Sequence, residues 1–162
     1  MSTTYHGTPF RVNMPKEKFW RQGLQFECHQ CGHCCTFPGG VVNATEREFR
    51  KIADHLDITF ETFLATYTEN SDGYITLKSP DEGPCIFYDN GCSIYSVRPT
   101  QCRTFPFWPD ILKSKKRWDA ESTLCCGMDK GKEWSEKEIE EQLKANDQVL
   151  LKAREGESPA GD

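Results

Sequence analysis

A chain of 162 residues with 36% hydrophobic residues and a net charge of −5 has the length of one domain and a modest core, able to bury roughly 70% of its unfolded surface. The acidic balance argues against nucleic acid or an anionic membrane as partner, since those contacts draw on an excess of Lys and Arg, and no stretch approaches the length of a membrane span. Nine cysteines, with no apolar export signal before them, fit a cytoplasmic protein whose thiols stay reduced and serve as ligands or reactive groups before disulfides.

Residues 1–18 lack periodicity and carry Gly7, Pro9 and Pro15, so an extended N-terminal segment is expected there. The body, residues 19–131, is cysteine-rich. A short strand from Gly23 to Glu27 leads into the first cysteine loop. Thr45 then starts a helix with Glu48 as its capping-box partner, and Phe49, Ile52, Ala53 and Leu56 share one face. A second short helix is expected from Thr59 to Thr66, and a strand over Tyr74–Leu77.

Further on, the segments 85–88 and 92–95 flank Asp89, Asn90 and Gly91, a turn sequence that predicts a hairpin bringing Cys85 and Cys92 together. Ser96 reads as the cap of a short helix carrying Cys102, with Pro99 tolerated in its first turn. The run Lys113–Trp118 reads as a solvated basic loop. Residues 132–155 form the clearest helix, with Ser135 and Glu138 as a capping box, Trp134 and Ile139 as a hydrophobic staple, and Ile139, Leu143, Asn146 and Leu150 along one face. Residues 156–162 read as a disordered tail. The fold class is therefore a small, irregular α+β domain, organised by metal more than by sheet.

Cys28, Cys31, Cys34 and Cys35 form a C-x2-C-x2-C-C run. Thiolates two residues apart converge on one ion or cluster through a tight turn, which Gly32 eases by tolerating positive φ. Three thiolates at this spacing, closed by a remote fourth, resemble the loop around a 4Fe–4S cluster, whereas tetrahedral zinc usually takes two knuckles. Adjacent Cys34 and Cys35 cannot easily both point at one corner of a cube, so Cys35 serves a second centre or none. His29 and His33 sit between the cysteines as groups that neighbour the ligands or face solvent rather than as ligands themselves. Arg98 and Arg103 either offset thiolate charge or form surface ion pairs.

The run, together with Gly83-Pro84-Cys85, Gly91-Cys92, Arg98-Pro99-x2-Cys102-Arg103-x-Phe105-Pro106 and Cys125 before a glycine turn, resembles the YkgJ or CxxCxxCC family of zinc- or iron-chelating domains over residues 26–131. The resemblance implies Cys28, Cys31, Cys34, Cys35, Cys85, Cys92, Cys102 and Cys125 as the metal ligands, with an iron–sulfur cluster or zinc as cofactor. Cys126 departs from the pattern and could replace Cys125.

Three functions are open. The first is a metal-binding protein with a redox or structural role. The second, from the occurrence of similar domains in flagellin lysine methylases, is an S-adenosylmethionine-dependent protein-modifying enzyme or its accessory. The third is a zinc scaffold that binds another protein through its acidic final helix or the Lys113–Trp118 segment. No phosphate loop, H-E-x-x-H helix or nucleophile elbow stands beside the cysteines.

Overall fold

A computed structural model describes residues 17–37, 40–79 and 83–155. Most of the expected N-terminal segment and the whole expected tail lie outside the described residues. Five strands and six α-helices are found among the described residues: β1 (Leu24–Phe26), β2 (Val42–Asn43), α1 (Glu46–His55), α2 (Phe60–Tyr67), β3 (Thr68–Ser71), β4 (Tyr74–Leu77), α3 (Thr100–Arg103), α4 (Pro109–Leu112), α5 (Lys115–Ser122), β5 (Met128–Trp134) and α6 (Glu136–Glu155). The strands make two small antiparallel sheets, β1–β5 and β2–β4–β3. The α+β class and a C-terminal helix are as expected, although the helix begins at Glu136 and not at residue 132, because β5 runs through Trp134.

Local chemistry explains most of the boundaries. In α1 the Glu48 N–H donates to Thr45 Oγ1 and the Thr45 N–H donates to the Glu48 carboxylate, the reciprocal cap read from the sequence. Ser135 and Glu138 repeat it at α6. Thr59 caps α2, accepting from the Thr62 N–H. Along α6 the buried residues are Ile139, Asn146 and Val149, so Val149 takes the place expected of Leu150.

Two apolar clusters result. The first gathers Trp20, Phe26, Phe105, Phe107, Trp118 and Ile139 around β1, β5 and α6. The second gathers Phe49, Ile52, Phe63, Leu77, Phe87 and Ile94 beneath α1, α2 and β4. Cys34 and Cys125 pack with the first and Cys85 and Cys92 with the second, so the cysteines lie where the two cores meet.

Three expectations are corrected. The segments flanking Asp89–Gly91 are not strands: the turn forms, with Asn90 and Gly91 at positive φ, but it closes on a single bridge between Tyr88 and Cys92, because the backbone around it turns Phe87 into the second core and leaves Ile86 exposed. The true hairpin is β3–β4 about Asp72 and Gly73, both at positive φ, an Asp-Gly turn of the kind that matches strand twist. Ser96 lies in a 3-10 turn over Tyr95–Val97, and the cap position of α3 falls to Pro99. The Lys113–Trp118 loop is instead largely helix α5, capped by Ser114. Trp118 there is fully buried and donates from Nε1 to Asp129 at 2.8 Å, because a basic helix can expose its charges while one aromatic anchors it to the core.

Candidate metal centre

The first cysteine loop leaves β1 at Phe26 and is fixed at once. The Glu27 N–H donates to Gly127 O at 3.1 Å, and a Cβ on Gly127 would lie 2.1 Å from Glu27 O. Only glycine permits that approach, which sets the segment 125–127 beside the start of the cysteine run. Gly32, at φ 80°, opens the 3-10 turn His33–Cys35. The positive φ expected for Gly32 is thus present, and the Tyr88 ring occupies the space a side chain would need.

The remote cysteines come in on three further segments. The Cys85 N–H donates to Cys35 O at 2.7 Å, and the turn that follows returns Cys92 to the same wall. Cys102 sits on α3, which Gln101 ties to β2 by accepting from the Asn43 N–H at 2.9 Å and donating to Val41 O at 2.9 Å. Cys125 follows α5. As a result Cys28, Cys31, Cys34, Cys35, Cys85, Cys92, Cys102 and Cys125 all line one cavity of about 70 Å³. These are the eight cysteines the resemblance implied, drawn together from across the chain. Cys126 does not line it and is exposed, whereas Cys125 is buried.

The sulfurs of Cys34 and Cys35 stand 3.9 Å apart, close to each other but not closed with a third donor about one point. Cys35 also hydrogen-bonds Cys92; as donor to Cys34 and Cys92 its own thiol is pushed up, while the bond it gives draws Cys92 down to about 6, with the Arg98 charge helping. Burial, reinforced by the charges of Cys34, Cys85 and Cys92, pushes the Cys102 thiol up. Burial likewise raises Cys125 to about 11. Among the described residues no three Cys, His, Asp or Glu side chains stand closed about a single point. The thiols line the cavity without closing on a point.

The groups around the cavity are mixed. Arg98 lines the cavity, lies 3.7 Å from the Tyr95 ring centre and donates to Tyr95 O at 2.6 Å. Its partners are aromatic and backbone groups and its charge faces thiols, which answers one of the two readings left open for the arginines. Arg103 leans toward Glu48 at 3.8 Å, nearer the ion-pair reading. His33 faces Glu121 through Nε2 at 2.7 Å, a pairing the sequence could not reveal because the partner lies on α5. Phe26, Phe87 and Phe105 complete the apolar wall. The donor set and its enclosure fit a thiolate-ligated metal.

A family model described as "Putative zinc- or iron-chelating domain", CxxCxxCC, matches residues 27–138. Among curated proteins, Uncharacterized protein MJ0661 of Methanocaldococcus jannaschii is 31% identical over 118 residues, 71% of this chain and 63% of its own length. Uncharacterized protein MJ0939 of the same organism is 27% identical over 121 residues, 68% of this chain and 40% of its own. The chain thus spans less than two thirds of the length of either relative. No solved structure matches.

Proposed function

The chain belongs to the CxxCxxCC family, and on that premise we propose that it is a cytoplasmic metal-binding protein that holds an iron–sulfur cluster of 4Fe–4S type through cysteine thiolates, with a redox or structural role. The observation that carries this reading is the convergence of eight thiols from separate segments on one cavity. The ligands proposed are Cys28, Cys31, Cys34, Cys35, Cys85, Cys92, Cys102 and Cys125. A cluster bound there supplies one-electron chemistry or a rigid cross-link between the two cores. Nine free cysteines are what a reducing compartment would maintain.

The chain's own residues serve such a centre in definite ways. Phe26, Phe87 and Phe105 exclude water from the wall. Arg98 supplies a fixed positive charge that offsets the thiolates of Cys34 and Cys92.

Zinc remains the second reading, and one distance favours it. Two thiolates on one tetrahedral zinc, each about 2.3 Å from the metal, lie about 3.8 Å apart, and the Cys34 and Cys35 sulfurs stand at 3.9 Å. The eight thiols on one cavity, by contrast, are more than the four that a 4Fe–4S cluster takes.

Cys31→Ser and Cys102→Ser test the ligand assignment. Each should lose metal and stability together, because an incomplete thiolate site forfeits the free energy that ligation adds to folding. Full metal content in both variants would overturn it.

A further inference from the structure

Cys126 is the one cysteine the ligand assignment leaves unused, and its surroundings reopen the question of how many centres the chain holds. The 3-10 turn opened by Gly32 divides the first run: Cys28 and Cys31, before it, are exposed, whereas Cys34 and Cys35, within it, are half-buried. Beyond the turn, Cys35 is joined to Cys34 at 3.9 Å and to Cys85 through a backbone hydrogen bond at 2.7 Å. A second cavity, of about 300 Å³, is lined by Cys34, Cys35, Cys85 and Cys102 and by none of Cys28, Cys31, Cys125 or Cys126; Cys92, which does not line it, packs with Cys85 against the second core. The inner thiols Cys34, Cys35, Cys85 and Cys102 therefore form a wall between two cavities, whereas Cys28, Cys31 and Cys125 line the first cavity alone and Cys126 lines neither.

The remaining four are gathered by a different device. The hydrogen bond between Glu27 and Gly127, closed by the absence of a Cβ on Gly127, places the Cys125–Cys126 pair next to the chain leading into Cys28. Cys31 lines the first cavity with Cys28 and with Cys125, the neighbour of Cys126. Cys28, one residue beyond the clamp, lines the same cavity as Tyr95 and the inner thiols and so borders the inner wall. Cys28, Cys31 and Cys126 face solvent while Cys125 is buried.

Resting on the metal-binding reading, we infer that the nine cysteines make two centres: an inner one drawn from Cys34, Cys35, Cys85, Cys92 and Cys102, and an outer, solvent-facing one of Cys28, Cys31, Cys125 and Cys126. The ninth cysteine is then a metal ligand, and four thiolates are available to each centre, the number that both tetrahedral zinc and an iron–sulfur cluster require. Neither set stands closed about a point, and ligation supplies the free energy that draws each together.

Anaerobic titration of the reduced, metal-free full chain with Co²⁺, followed by its thiolate charge-transfer absorbance, counts the centres. Two equivalents are expected for the wild type and one for Cys126→Ser, with Cys31→Ser repeating the loss at a second exposed position. Saturation of the wild type at one equivalent, or two equivalents retained in Cys126→Ser, would overturn the partition while leaving metal binding intact. Absence of any thiolate–cobalt band in the wild type would overturn the metal-binding reading itself.

Discussion

The carboxylate of Glu48 in α1 accepts hydrogen bonds from both the backbone N–H and the hydroxyl of Thr100, at 2.8 and 2.6 Å. Thr100 is the first residue of α3, the helix that carries Cys102. The same carboxylate closes the capping box of α1 through Thr45. One side chain therefore fixes the starts of two helices, and through the second of them the depth at which Cys102 meets the other thiols.

Glu48→Ala should destabilise the protein by about 2–3 kcal/mol, the sum expected for a lost cap and a lost charge-assisted pair, read by denaturant unfolding. Its pH dependence has a definite sign. Burial alone would raise the Glu48 carboxyl, but the hydrogen bonds from Thr100 and Thr45 outweigh it and hold it below the usual carboxylate range. The contribution is then complete above the unfolded value, about 4.3, and lost as pH falls through the lower folded value. The stability gap between wild type and Glu48→Gln should stay level from neutral pH down to about 5 and shrink below about 4. A gap that widens on acidification would contradict this.

Gly127→Ala should separate the first cysteine run from Cys125. The added Cβ meets backbone at 2.1 Å, which no rotamer change relieves, so a loss of about 1–3 kcal/mol is expected, together with weaker metal retention. Unchanged thermal stability would show that the clamp between Glu27 and Gly127 is not what positions these thiols.

His33 offers the converse test. It lies within the cysteine run, yet its Nε2 is 2.7 Å from Glu121 and the two side chains are only 14% and 16% exposed. Removing one partner of a buried pair leaves the other unsatisfied, so His33→Ala should cost about 1–3 kcal/mol while metal content stays at the wild-type level. Stoichiometric loss of metal in a folded His33→Ala protein would make the histidine a ligand after all.

The site was more legible in the sequence than the fold around it. Spacing marked the first run of four cysteines, because ligand geometry leaves short-range traces, and the resemblance to the CxxCxxCC family implied the other four of the eight that line the cavity. Capping boxes were legible for the same reason: Thr45 with Glu48 and Ser135 with Glu138 lie three residues apart. Strand β5 escaped notice because five of its seven residues are exposed and it presents no apolar alternation. Helix α5 was obscured by its charge, with one buried tryptophan as its only apolar anchor. The pairs Glu48–Thr100 and His33–Glu121 span 52 and 88 residues and leave no local signal at all. In the region of Cys85–Tyr95 the β-prone residues did mislead, since tertiary placement of Phe87 and the two thiols overrode strand propensity.

The measurement closest to the central claim is metal and acid-labile sulfide analysis, with a visible spectrum, on one anaerobically purified sample of the full chain. Iron with matching sulfide and a brown absorbance is the predicted result, and its stoichiometry reports the number of clusters. Zinc without sulfide, in a colourless protein, would contradict the cluster and leave the thiolates a structural role.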